Sequence, residues 1–164
     1  MVFPSNNYWM WFFLDEKKLG QYEEKPLFEE VLLPNLEYHP SEDVSEPLAT
    51  FFVSNEHTNP FGAMHGGCHA MVMEQVALSY AQQKLNSQGL MLEAMQIDYL
   101  SAGKKGAIDV FCETIGEESG SFSSPNDDNS LLVRVFLKDQ KNGRICSEGK
   151  LRISAMETKV ASRL

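Results

Sequence analysis

Residues 70–81 (AMVMEQVALSYA) constrain the fold most, because they are apolar on most sides of a helix. A surface helix shows one apolar stripe and one polar face; a helix without a polar face has to be enclosed by the rest of the chain. The run follows a loop punctuated by Pro60 and Gly62 and passes through His65-Gly66-Gly67. Its spacing predicts a helix over residues 67–86, of about five turns. Residues 82–88 turn polar, so the far end emerges toward water, and Gly89 supplies the stop.

After Gly89 the period changes from helical to alternating. Residues 90–100 place Met95, Ile97 and Tyr99 on one face and Gln96 and Asp98 on the other. Strands are expected over 90–100, 107–115, 131–137 and 144–155, with an earlier one at 48–54 (LATFFVS). Residues 101–106 (SAGKKG) read as a turn, and 139–143 (DQKNG) as a hairpin turn through Asn142-Gly143. Residues 117–129 read as a polar loop and the C-terminal tail as polar chain. Four strands joined by short connections favour an antiparallel sheet. One apolar helix against one sheet makes a two-layer α+β domain.

The 164 residues favour one domain with a real core. We place that domain at 46–158, after an N-terminal extension, 1–45, with short helices near its start and near 27–33 followed by irregular chain broken by prolines. A formal charge of −9 argues against nucleic acid as a partner, since such affinity comes from neutralising phosphates. It argues equally against a basic membrane-binding face. The aromatic run Tyr8-Trp9-Met10-Trp11-Phe12-Phe13-Leu14 is far short of the roughly 20 residues a transmembrane helix needs, so no integral membrane segment is expected. Docking on the body or on a neighbouring subunit is the plain reading of that run; a peripheral membrane anchor is the rival. Three cysteines, Cys68, Cys112 and Cys146, lack metal-type spacing. The odd count fits a reducing compartment, so a cytoplasmic location is expected, with an organelle not excluded.

Glu74 is the one acid inside the apolar run. Its helical neighbours three and four positions away are Ala70, Met71, Ala77 and Leu78. Taking an ionised carboxylate out of water costs several kcal/mol unless it finds partners. A carboxylate kept in such surroundings is a candidate for chemistry.

Asn59, His65-Gly66-Gly67, Glu74 nine residues after the histidine, and Tyr99-Leu100-Ser101-Ala102 closing the next strand form one pattern. It resembles the acyl-CoA thioesterases of the hotdog fold, in particular the phenylacetate-pathway and small acyl-CoA branch, over roughly residues 48–155. The resemblance implies an antiparallel sheet wrapped around one central helix. It implies homodimers joined edge to edge, pairing again into homotetramers, with the active site between subunits. Glu74 would be general base or nucleophile, and Gly66 or Gly67 would offer a backbone N–H to the thioester carbonyl. Asn59 and His65 would hold the reacting group or the loop. The substrate would be an acyl-CoA, and no cofactor beyond it is expected. Glu74 stands where many members of this branch carry aspartate, and Leu92 where some place a hydroxyl residue for the attacking water. Either Ser79 or Ser101 would compensate, or the water would be held otherwise.

Elementary physics points the same way. Consecutive glycines at a helix start leave unpaired N–H groups uncovered, and the helix dipole favours negative charge there. Glu74 lies about 10–12 Å further along, too far to share one bond with that end inside a subunit. A site assembled from two chains removes the difficulty. Lys104 and Lys105, on a turn, are the first choice to meet coenzyme A phosphates, before Arg144, Lys150 and Arg152. Met71 is a candidate for an adaptable acyl pocket, and Ser101 for substrate contact. His65 and His69 stand four apart, but the helix is expected to start after His65, so no metal site is expected. Cys68, near a helix start, reads as buried rather than nucleophilic. Two rivals remain: a non-catalytic acyl-CoA-binding or scaffold dimer with the same fold, and a hydratase or dehydratase, whose acid–histidine motif is not found.

Overall fold

This computed structural model describes residues 32–39, 43, 45–87, 89–116 and 129–156. The N-terminal helix expected within 1–20, nearly all of the one near 27–33, most of the polar loop 117–129 and the tail beyond 156 lie outside the described residues.

One helix, α1 (Gly66–Leu85), packs against a six-stranded antiparallel sheet. The strands are β1 (Leu36–Tyr38), β2 (Ala49–Val53), β3 (Leu90–Tyr99), β4 (Gly106–Thr114), β5 (Ser130–Asp139) and β6 (Ile145–Ala155). Their order across the sheet is β1-β2-β4-β5-β6-β3. Both the long apolar helix and the α+β class match expectation. No described helix is long and apolar enough to cross a membrane.

Three details differ from the sequence reading. Residues 36–38, expected to be irregular, form β1 and pair with β2, Leu36 opposite Phe51. Gly89 does not stop the helix; Asn86 does, in the left-handed conformation at φ 47°. Asparagine tolerates that region better than most side chains. Finally, residues 100–105 are not a hairpin turn. Two strands separate β3 from β4, so this segment crosses the end of the sheet. Six extended residues span about 20 Å, and three strand spacings need only about 14 Å. Sequence period cannot tell that crossing from a hairpin.

The register follows the apolar alternation. On β3 the inward positions are Leu90 and Leu92, then Met95 and Ile97, a change of phase by one. A β-bulge between Leu92 and Ala94 absorbs it: Leu92 faces Ile153, and Met95 faces Leu151. Without that extra residue half the strand would turn its apolar side to water. The core lies between α1 and the sheet, with Val72, Met73 and Val76 meeting Ile108, Val110, Val133, Val135, Leu151 and Ile153. Gly149 lets helix and sheet approach: a Cβ there would stand 2.7 Å from the Met73 sulfur.

Candidate functional site

The loop into α1 is built by its own polar groups. The Ser54 N–H donates to His57 Nδ1 at 3.0 Å, and the fully buried His57 ring lies 4.9 Å from that of Phe51. The carbonyl of His57 then accepts from the His65 N–H at 2.9 Å. Between them Asn59 organises a tight turn. Its Oδ1 accepts from the N–H groups of Phe61 and Ala63, at 3.0 and 3.1 Å, while Gly62 takes φ 75°. This Asx geometry is an ordinary use of asparagine, and it commits the side-chain oxygen of Asn59 to the loop.

The loop is also tied to the segment that crosses the sheet end. The Met64 N–H donates to the Gly103 carbonyl at 2.7 Å. Lys104 and Lys105 follow at once, both exposed, at the end of the fold where the helix begins. Ser101 is held in place, its hydroxyl donating to the Ile145 carbonyl at 2.9 Å.

His65 is the N-cap of α1, and no side chain caps the helix there. The first-turn N–H groups of a helix have no intrahelical partners, so at Gly66 and Gly67 they are free to meet a ligand oxygen. Both glycines are exposed.

Further along, α1 has two unlike sides. Cys68, His69, Val72, Met73, Val76, Ala77, Tyr80 and Ala81 are buried. Ala70, Met71, Glu74, Gln75, Leu78 and Ser79 are half-buried and form the side turned away from the sheet. The helix is therefore not enclosed all round by the described residues, as its composition suggested. Tyr38 of β1 reaches the far half of this open side, its hydroxyl donating to the Gln75 carbonyl at 3.3 Å. Burial, then the neighbouring Cys112, pushes the Tyr38 phenol up, and the Ser79 hydroxyl opposes the shift. Glu74 sits on the near half between Met71 and Leu78. Among the described residues its carboxylate makes no hydrogen bond or ion pair.

Within one chain the structure thus gathers Asn59, His65, Gly66, Gly67, Lys104 and Lys105 at one end of α1. It leaves Glu74 and Met71 on the open side, about two turns from Gly67. Leu92 packs against the core, inward on β3. Burial pushes the Cys68 thiol up to about 11, which leaves it an unreactive thiol at neutral pH. Among the described residues no three His, Cys, Asp or Glu side chains stand close enough to hold a metal ion.

One pair escaped the sequence reading. His69 is buried, its Nδ1 2.7 Å from Ser147 Oγ, and burial holds its pKa down at about 4. The ring is neutral at pH 7 and fastens the first turn of α1 to β6. The signal was present: Ser147 is a polar residue in the inward phase of a strand whose other inward positions are Gly149, Leu151 and Ile153.

Solved structures decide the architecture. Zebrafish thioesterase superfamily member 2 superposes with a TM-score of 0.63 at 20% identity, covering 82% of this chain and 89% of its own. The chain has the hotdog fold. A thioesterase from Haemophilus influenzae matches this hotdog domain with a TM-score of 0.62 at 15% identity, over 77% of this chain and 82% of that one. A Thermus thermophilus thioesterase, solved with coenzyme A and zinc, matches with a TM-score of 0.52 at 20% identity, over 66% and 78%. No family model matches the sequence, and no curated protein matches it significantly. The hotdog sheet and helix expected from the sequence are those found; the phenylacetate-pathway branch is not singled out by these neighbours.

Proposed function

We propose that this hotdog protein hydrolyses an acyl-CoA thioester to the free acid and coenzyme A. Glu74 carries the reading. It is a half-buried carboxylate without a partner among the described residues, set among Ala70, Met71 and Leu78 on the open side of a helix whose uncapped start is lined by glycines. Folding alone gives no reason for an acid there.

The chemistry follows from those groups. Glu74 takes a proton from water as the water oxygen bonds to the thioester carbonyl carbon, or attacks that carbon itself, in which case a water later cleaves the acyl–Glu74 anhydride to release the acid and restore the carboxylate. The carbonyl oxygen becomes an oxyanion and is met by the N–H of Gly66 or Gly67, a contribution of about 3–4 kcal/mol per donor. The C–S bond then breaks, and the coenzyme A thiolate leaves and takes up a proton. Lys104 and Lys105 meet the coenzyme A phosphates from the exposed segment beside the helix start. His65 and Asn59 hold the loop that presents the glycines.

Distance requires a second chain, since one subunit separates Glu74 from its own glycines by about 10–12 Å. The two edges of the sheet suggest how it docks. β1 is an edge of three residues, whereas β3 is an edge of ten. β3 is paired on one side with β6 and exposes Met91 and Tyr99, followed by exposed Leu100. Long exposed edges with apolar residues are what proteins cover. Joining two β3 edges makes a homodimer, which the resemblance extends to a homotetramer, with Glu74 of one chain opposite the glycines of the other.

Thiol release from a panel of acyl-CoAs, with Glu74→Ala beside wild type, tests the reading. Loss of nearly all release in the variant supports catalysis. A second reading, a non-catalytic acyl-CoA-binding dimer, is favoured by Leu92, a core-packed leucine where some similar enzymes hold water with a hydroxyl. Tight binding of acyl-CoA with no release from any substrate would select it.

A further inference from the structure

Phe61 is 92% exposed, more than any other large apolar side chain among the described residues. Its backbone is nonetheless held firmly. The Gly62 N–H donates to the Asn59 carbonyl at 2.9 Å, and the Asn59 N–H to the Ala63 carbonyl at 2.8 Å. The Phe61 N–H is itself bound to Asn59 Oδ1, and Thr58 pairs with Met64 across the base of the turn. A turn fixed in this way cannot fold its tip back onto its own chain. It presents in water a ring with much to gain from burial.

The turn is also fixed relative to the long edge of the sheet. It leads straight into α1, and the Tyr99 hydroxyl at the end of β3 donates to the Gly66 carbonyl at 3.1 Å. Where the β3 edge goes, the turn goes with it. The two-chain site described above sets Glu74 of one chain opposite Gly66 and Gly67 of the other, so both helices lie on one face of the joined sheet. The two-fold axis then stands perpendicular to that sheet and reverses the direction of every element, so the two α1 helices run antiparallel. Stepping back along one chain from Gly66 therefore means stepping forward along the other from Glu74. Phe61 comes beside the partner subunit's Leu78, one helical turn beyond Glu74. Leu78 is a half-buried residue on the open side of α1, an apolar surface of the kind an aromatic ring covers well.

We infer that Phe61 reaches across the subunit interface and closes the end of the partner's acyl site, setting the longest acyl chain that site accepts. This role rests on the hydrolase reading above and deepens it.

The first test is Phe61→Ala in the full chain, assayed where size exclusion shows the dimer. Relative to the best wild-type substrate, kcat/KM for an acyl-CoA two carbons longer should rise about tenfold or more. An unchanged ratio overturns the inference. The second test uses mixed dimers of one Phe61→Ala chain and one Glu74→Ala chain, isolated through two different tags. The working carboxylate then belongs to the Phe61→Ala chain, and the intact Phe61 to the other. A ring that reaches across restores the wild-type ratio; a mixed dimer with the Phe61→Ala ratio places the ring in its own chain's site and overturns the inference. Wild type that releases thiol from no acyl-CoA defeats the hydrolase reading by itself. Cross-linking then decides the contact alone. The three native cysteines are buried, so a short bis-maleimide reports on a chain carrying Phe61→Cys and Leu78→Cys together. Linked dimer in excess of either single variant supports the contact, and no excess overturns it.

Discussion

Cys68, Val72, Met73, Val76 and Ala77 line the side of α1 that meets the sheet and are buried, while Ala70, Met71, Glu74 and Leu78 line the opposite side and are half-buried. The two sides are similar in apolar character, and their difference is coverage. The covered side gains from close packing and tolerates no unpartnered polar group; its imidazole, His69, is hydrogen-bonded and neutral. The open side carries a carboxylate, Glu74, that has no hydrogen bond or ion pair among the described residues. Among the described residues only one side of the central helix is closed, which leaves an apolar surface with one carboxylate on it. Stability should therefore reside on one side and turnover on the other.

The sharpest way to break that division is at Glu74. Glu74→Ala should lower kcat about 10³-fold, within the range of a lost general base, and leave the urea midpoint unchanged or raised, since it removes an unpartnered, half-buried carboxylate. A variant that loses stability instead would make the acid structural. Met73→Ala is the mirror test. Met73 is fully buried, so its truncation should cost about 2–5 kcal/mol of stability. Turnover per folded molecule should be nearly unchanged, read by urea unfolding beside an assay well below the midpoint.

Protons sharpen the same contrast. Burial lowers the folded pKa of His69 from 6.5 to about 4, so between those values the unfolded chain binds the extra proton. Stability from this group is complete above about pH 6.5 and is lost as pH falls toward 4, by roughly 3 kcal/mol at most. Carboxylates titrate in the same window, so the quantity to measure is the difference between wild type and His69→Gln in urea midpoints at pH 7.5, 5.5 and 4.5. The variant should be less stable at pH 7.5, and the gap should narrow on acidification. A gap of constant size would mean that the ring does not titrate there.

Much of this was legible beforehand for physical reasons. Apolar spacing located α1, and alternation located β3 to β6, because burial on one face imposes a period. The bulge between Leu92 and Ala94 was not read, although the alternation changes phase there. Short-range chemistry was readable too, as at Asn142-Gly143, where Gly143 takes φ 68°. Order across the sheet was not legible: nothing in residues 100–105 separates a crossing from a hairpin, since both need a short polar link. β1 was missed because three residues carry too little pattern. At the site, Glu74 and the glycines stood out as violations of local preference, which is where function tends to show. The bond from Tyr99 to Gly66 joins residues 33 apart in sequence and leaves no periodic trace. The described residues cover only one side of α1, and composition could not tell which side they would cover, because it reports what a side chain prefers, not what lies against it.

Met71 gives the smallest effect and the finest test of the comparison. It lies one turn before Glu74 on the open side and packs only partly against the core. If that side lines the acyl site, Met71→Ala lengthens or widens the space available to the acyl chain. One methylene in an apolar pocket is worth about 1–3 kcal/mol of discrimination. Met71→Ala should thus shift the ratio of kcat/KM between two acyl chains differing by two carbons, by about tenfold or more toward the longer. Partial exposure limits the loss of stability to less than that of Met73→Ala, because fewer contacts vanish with the side chain. The ratio is measured with both substrates in one reaction, which cancels the active fraction. An unchanged ratio with lowered stability would assign Met71 to the packed side, and the line between the two sides of α1 would have to be redrawn closer to Glu74.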